Sequence, residues 1–392
     1  MQAGAAAPEP LSSAAMLARL VGFDTTSRNS NRALIDFVRG WLEGWGVPCR
    51  MSVSPAGDKA NLHAILGPAG AGGVALSGHV DTVPVDGQAW SGDPFTLRER
   101  EGRLLARGAT DMKGFVACCL AAVPAALAAG LRAPLHLFIT YDEEVGMYGA
   151  RRLVEDLGES GLKPALCIVG EPTLMQPTIA HKGKLSVDVA VRGRSGHSSQ
   201  PGRGVNAVFA AAEAVAWIAA EARRLAAEGP FAEGFDPPHT TVHVGTLAGG
   251  TILNIIPEHA RFSMEWRAIP GDDAQAMLAR LRAHVETAIV PAMRAVDPAC
   301  GFAFAVANVI PPLALAPDHA LVDLVCALSG VNGLGRVSYA TEAGIFQEAG
   351  IAAIVCGPGS ITDAHQPDEG IAGSELAACD RFLSRLIGRL AA

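Results

Sequence analysis

The feature that most restricts the fold of this chain is an alternation of strand and helix patterns that stops near Gly183 and resumes after Pro311-Pro312. Before the break, strand patterns at Ala60 to Leu66, Gly73 to Gly78, Pro134 to Thr140 and Ala165 to Val169 are interleaved with helix patterns at Gly114 to Ala129 and Gly149 to Leu157. After it come helices at Ala320 to Leu328 and Glu342 to Ala349, strands at Arg336 to Tyr339 and Ala352 to Cys356, and a closing helix from Ser374. Short apolar strands separated by helices build a largely parallel sheet covered by helices on both faces. Helical spacing in Ala14 to Val21 and in Ala33 to Trp45, the latter stopped by Gly46, adds further cover. Pro124 is expected to kink the long helix that contains it.

Between the two halves the texture changes. Lys184 to Val191 alternates apolar and polar residues as a sheet with one wet face does. A long Ala-rich helix (Val205 to Leu225), strands Thr240 to Leu247 and Ala260 to Arg267, a helix from Asp272 to about Ile289 and a strand from Gly301 to Ile310 follow. The order β-α-β-β-α-β is a self-sufficient unit. The expected architecture is therefore a discontinuous α/β domain, residues 1–182 and 312–392, with a mixed sheet covered by helices, interrupted by an inserted α+β domain at 183–311.

Composition narrows the function classes. A net charge of −8 argues against a nucleic-acid partner, and no basic run or stacking aromatic cluster contradicts that. The eight cysteines form no C-x-x-C pair and lie largely in apolar patterns, which reads as reduced and buried thiols. The amino terminus, M-Q-A-G-A-A-A-P-E-P, lacks the basic and apolar segments of a secretory signal, and every apolar stretch looks too short or interrupted to cross a membrane. A cytoplasmic location is the expectation.

Chemistry concentrates in five stretches, each just after a strand pattern or in a loop on one sheet edge. The apolar run Val74-Ala75-Leu76 ends in S-G-H-V-D-T-V-P and leaves His79 and Asp81 at the carboxyl end of a strand, where open α/β sheets keep their sites. A carboxylate two residues from an imidazole can hold the ring's second nitrogen and fix the tautomer that binds metal. G-A-T-D-M-K-G supplies Asp111, Y-D-E-E-V-G supplies Glu143 and Glu144, V-G-E-P-T supplies Glu171 and A-H-Q-P-D-E supplies His365. Adjacent side chains diverge, so one of Glu143 and Glu144 can bind metal while the other addresses a water; the residues alone leave open which. Two imidazoles and three carboxylates without a thiolate suit two borderline divalent ions such as zinc, with one carboxylate shared. A pair of ions about 3.5–4 Å apart polarises a carbonyl and shares a hydroxide near neutral pH. No G-x-S-x-G or H-E-x-x-H offers a different hydrolytic chemistry.

In order and spacing these five motifs resemble the di-zinc amidohydrolase family over nearly the whole chain. A-H-K-G (Ala180 to Gly183), S-G-H-S-S-x-P-x-R-G-V-N-A (Ser195 to Ala207), A-T-E-A (Ala340 to Ala343) and G-P-G-S-I-x-x-A-H-Q-P-D-E (Gly357 to Glu369) look most like its acetylornithine deacetylase branch. The resemblance implies a di-zinc aminopeptidase-like catalytic domain, with His79 and Glu171 on one Zn2+, Glu144 and His365 on the other, Asp111 bridging, and Co2+ as a possible substitute. It further implies Glu143 as general base, Asp81 as the partner of the His79 ring, and a homodimer built through the inserted domain. His197 would then donate to the oxyanion in the partner's site, Arg267 would hold the substrate α-carboxylate and Asn254 would make a polar substrate contact. Glu342 would either meet the δ-ammonium of the substrate or favour the dipole of the helix it begins. The sequence departs from the branch in the apolar run before Asn254 and in Gly344, where the branch would place Pro. The implied substrate is a small N-acyl amino acid, N2-acetyl-L-ornithine, and the implied context is arginine biosynthesis. Succinyl-diaminopimelate, a broader set of N-acyl amino acids, or a non-catalytic metal-binding role are the alternatives.

Overall fold

The computed structural model describes residues 8–392. Residues 1–7, most of the stretch read above for a signal sequence, lie outside the described residues. The chain divides into two compact units, one ending at Ala180 and resuming over Leu313–Gly335 and Thr341–Ala392, the other comprising His181–Pro312 and Arg336–Ala340. The five residues Arg336–Ala340, expected with the first unit, thus belong with the second.

In the first unit six strands run side by side in the order Cys49–Val53, Ala60–Leu66, Leu135–Thr140, Val74–His79, Leu166–Pro172 and Ala352–Gly357. Val74–His79 pairs in parallel with both neighbours, and all six of its residues are buried. A strand covered on both faces has no wet side, which is why it reads as a continuous apolar run. The other edge turns antiparallel, Ala60–Leu66 against Leu135–Thr140 and Cys49–Val53 against Ala60–Leu66, so the sheet is mixed. Helices Ser13–Val21, Gly114–Ala121 and Gly373–Ala391 pack together, joining Met16, Leu20, Phe115, Phe382 and Leu386 in one apolar core. The eight cysteines are free thiols, six of them buried.

Three details differ from the sequence reading. Arg98–Arg100, Arg103–Leu105 and Gly370–Ala372 form a small separate antiparallel sheet, held by pairing across more than two hundred and fifty residues that local pattern does not reveal. The helix around Pro124 is divided rather than kinked: Gly114–Ala121 ends at Ala122, and Pro124 sits in the first turn of Val123–Ala129, where its missing N–H costs nothing. The helical run Ala109–Ala129 is also, by length and a mean hydropathy of 1.8, apolar enough to cross a membrane, contrary to the expectation that no stretch approaches this. Its burial accounts for that composition, since Phe115, Val116, Ala117, Cys118 and Leu120 all belong to the core, and the charged Asp111 and Lys113 lie near its start.

The second unit is an antiparallel sheet in the order Thr241–Gly249, His259–Ala268, Gly183–Arg192 and Gly301–Ile310. Alternate residues Leu185, Val187, Val189 and Val191 of one strand and Phe262, Met264 and Trp266 of the next form its core with Ala210, Ala214, Leu278 and Leu281 of helices Ala207–Glu228 and Ala274–His284. The long helix starts where Asn206 Oδ1 accepts from the amides of Val208 and Phe209.

Two glycines test this packing. A Cβ at Gly170 would stand 2.0 Å from Cγ of Phe115, whereas one at exposed Gly158, inside helix Tyr148–Ser160, would meet nothing within 4 Å. Gly170→Ala is expected to lower stability by about 1–3 kcal/mol. Gly158→Ala is expected to raise it by about 0.5–1 kcal/mol. Denaturant unfolding of the metal-free protein checks both.

Candidate metal centre and active site

His79 ends the central strand opposite Thr140, with 1% of its surface exposed. Its Nδ1 donates to the main-chain carbonyl of Asp81 at 3.0 Å, which leaves Nε2 as the ring's free ligand atom. The Asp81 carboxylate is 3.5 Å from the same Nδ1 and has further work: it accepts from the amides of Glu143 (3.0 Å) and Glu144 (3.3 Å) and from Ser27 Oγ (2.7 Å). Asp81 therefore orients His79 and pins the Glu143-Glu144 turn together. Its acidity is enhanced: burial opposes ionisation, but His79, Ser27 and the Glu143 amide outweigh it.

That turn begins at Asp142, in left-handed backbone with φ of 56°, and Asp142 is ion-paired with Lys59, which also donates to the carbonyl of Ser27. Lys59 and Ser27 carry no signal in the sequence. Neither belongs to a motif of chemical residues, and only the fold brings them to the turn.

Asp111 occupies a non-helical position (φ −123°, ψ 95°) at the mouth of the long helical run. Its two oxygens face different imidazoles: Oδ1 lies 3.1 Å from His79 Nε2 and Oδ2 lies 3.2 Å from His365 Nε2. Glu171 Oε1 is 3.7 Å from His79 Nε2, and Glu144 Oε1 is 3.1 Å from His365 Nε2. Ligand atoms of His79, Glu143 and Glu171 lie within 4.8 Å of one another, and so do those of Asp111, Glu144 and His365. Burial and neighbouring carboxylates push Glu143 and Glu171 well above the ordinary carboxylate range. His365 is pushed up to about 10 by Asp111 and Glu144. Four carboxylates, Asp111 and Glu171 buried and Glu143 and Glu144 half-buried, gather round two imidazoles and form a site short of positive charge. Its oxygen and nitrogen donors, without a thiolate, suit divalent cations, with His79, Glu143 and Glu171 offering one group of donors and Asp111, Glu144 and His365 another.

Glu342 is buried, with 1% exposed, at the amino end of helix Ala343–Glu348, and it makes no side-chain cap there. Ser77 Oγ, on the strand that carries His79, donates to its Oε2 at 3.2 Å, and Oε1 has no hydrogen-bond partner.

The remaining expected residues belong to the second unit. His197 and Asn254 are exposed and adjacent, through a bridge between His197 and Ile255 and a bond from the Ser198 amide to the Asn254 carbonyl at 3.1 Å. The Ser199 amide donates to His197 Nδ1 at 3.2 Å, so in the neutral ring the proton sits on Nε2. Arg267 is half-buried near the end of its strand, with Nε donating to Glu265 Oε1 at 2.8 Å.

The profile of Peptidase family M20/M25/M40 matches residues 75–389. The chain belongs to the M20/M25/M40 peptidase family. Among its relatives it is 40% identical over 379 residues to an acetylornithine deacetylase of Myxococcus xanthus, covering 95% of this chain and 96% of that one. It is 39% identical to an acetylornithine deacetylase of Klebsiella pneumoniae, with 87% and 86% of the two chains covered. Among solved structures, an M20 family metallo-carboxypeptidase of Sulfolobus solfataricus shares the fold with a TM-score of 0.75 at 16% identity, over 97% of this chain and 99% of that one. Aminopeptidase PepT of Bacillus cereus does so with a TM-score of 0.72 at 19% identity, over 96% and 97%. The M20 fold thus extends over both units, and the chain is a metallo-hydrolase of that family.

The position of Glu342 has a titration signature. Burial pushes its carboxyl up to about 7 from an ordinary value of 4.5. Folding therefore favours the neutral acid, and this contribution is complete below pH 4.5 and disappears as the pH rises through about 7. In the metal-free protein Glu342→Gln is expected to unfold at a higher temperature than the parent at pH 8, with the advantage shrinking towards pH 5; melting curves across that range check it.

Proposed function

We propose that this chain is a cytoplasmic, homodimeric zinc deacylase that hydrolyses N2-acetyl-L-ornithine to ornithine and acetate, with Co2+ able to replace Zn2+. The observation that carries the reading is the Asp111 carboxylate placed between His79 and His365, with one oxygen towards each. The relatives named acetylornithine deacetylase, similar over almost the whole chain, support the choice of substrate.

Two divalent cations bound between these residues would polarise the acetyl carbonyl and acidify water. Glu143 takes a proton from the water as its oxygen bonds to the acetyl carbon. When the C–N bond breaks, Glu143 returns that proton to the leaving amine. The raised proton affinity that its buried, carboxylate-rich surroundings give Glu143 suits a group that must both accept and release a proton. His197 of a second copy donates Nε2–H to the oxygen that becomes negative, a role favoured by the tautomer that Ser199 imposes. Arg267 holds the α-carboxylate through its planar fork and Asn254 makes a polar contact with the substrate. Dimerisation through the second unit is supported by the apolar side chains it leaves exposed, Phe209, Leu247, Ile252, Leu253 and Ile255, of which Leu253 is 97% exposed.

Glu143→Ala is expected to retain close to two metal ions per chain, by elemental analysis, while turnover falls by about three orders of magnitude; undiminished turnover removes the base assignment. A panel of acetylornithine, acetylmethionine and succinyl-diaminopimelate on one preparation is expected to favour the first. If Glu342 meets the δ-ammonium, Glu342→Gln raises KM for acetylornithine and leaves acetylmethionine unaffected.

A further inference from the structure

Asp111 and His365 come from loops far apart in sequence, and a buried ion pair lies across both. Glu369, four residues beyond His365, reaches the Asp111 loop: its Oε1 accepts from the amides of Thr110 (3.0 Å) and Asp111 (3.1 Å). Its Oε2 accepts from Arg107 Nη1 at 2.6 Å, and each side chain of this pair is 1% exposed. Arg107 Nη2 donates to Gln88 Oε1, and the guanidinium lies 5.0 Å over the ring of Trp90. Gln88 completes a circuit, because its Nε2 donates to the main-chain carbonyl of His365 at 2.9 Å while Trp90 Nε1 donates to its Oε1 at 3.0 Å.

Burying an arginine and a carboxylate costs desolvation that their attraction often fails to offset, so stability alone is a weak reason for such a pair. What this pair and its glutamine hold are main-chain groups of residues that face the metal centre, or of their neighbours. The two imidazoles differ in how much they need that support. His79 sits in a buried strand and is fixed by Asp81, whereas the His365 side chain is 50% exposed and its backbone is left-handed, with φ of 61°. Gln88 anchors this lightly packed residue at its carbonyl.

We propose that Arg107, Glu369 and Gln88 are positioning residues that fix the separation of Asp111 from His365, and thereby set the affinity of the cation position bounded by Asp111, Glu144 and His365. The proposal rests on the two-metal reading above. None of the three touches the reacting atoms, and they act through the two side chains whose backbones they hold.

The test is calorimetric titration of Zn2+ alone into the metal-free full-length protein, comparing the parent with Gln88→Ala, with Glu369→Gln and with the double variant Arg107→Met/Glu369→Leu, alongside metal-free melting curves. The parent is expected to take up two ions per chain. In all three variants one ion should bind within about threefold of the parent while the other weakens by about 10–100-fold, the range usual for loss of a supporting contact around a metal site. The double variant removes the unpaired charge of Arg107 that Glu369→Gln leaves, so it is expected to melt above Glu369→Gln, while the second ion stays weak because the amides of Thr110 and Asp111 have lost their acceptor. Unchanged affinity for both ions in Gln88→Ala and Glu369→Gln, or affinity that follows melting temperature across the set, overturns the brace while leaving the metal reading intact. A parent that takes up fewer than two ions overturns the metal reading itself, and the brace with it.

Discussion

A carboxylate shared between two imidazoles is the contact around which the first unit is arranged. Asp111 reaches His79 and His365 with separate oxygens, and Glu171 and Glu144 crowd in from either side. An apolar core could not retain this many acidic groups unless they were compensated. In the metal-free chain the imidazoles provide part of that compensation, which is why His79 holds its proton well above the ordinary range: burial opposes the charge, but Asp111 and Asp81 outweigh it. The rest of the demand is what makes the cluster a receptor for cations, and Asp81, Ser27, Lys59 and Glu369 serve to keep its members from relaxing apart.

Much of this was legible in the sequence because the key side chains follow strands whose apolar runs are easy to read. His79 closes Val74–His79, the Glu143-Glu144 turn follows Leu135–Thr140, and Glu171 lies within Leu166–Pro172, all three strands being neighbours in the sheet. Which of Glu143 and Glu144 approaches His365 was not legible from the residues, since it depends on how the turn aims the two carboxylates. Nor was the dual role of Asp81, whose carboxylate binds two amides sixty residues away. The small sheet joining Arg103–Leu105 to Gly370–Ala372 escaped notice for a related reason: its strands are three residues long, and only a distant partner makes them strands.

The second unit was read from a different signal, the strict alternation in Gly183–Arg192 that a half-wet antiparallel strand requires. The side chains proposed to act from it carried weaker signals. His197 and Asn254 are exposed loop residues that pattern alone cannot set apart from any other polar surface group. Their nearness in the fold and the tautomer imposed by Ser199 are facts of geometry.

The strand Ala352–Gly357 pairs in parallel with Leu166–Pro172, yet nearly two hundred residues separate them along the chain. During synthesis on the ribosome, Leu166–Pro172 emerges early and must wait with one side unpaired while the whole second unit is translated. A bare apolar strand edge is an invitation to pair with a neighbouring nascent chain. The cluster around Asp111 is likewise incomplete until His365 follows, nearly two hundred residues after Glu171. A nascent chain that extends only through the second unit is therefore inert and in need of chaperone protection.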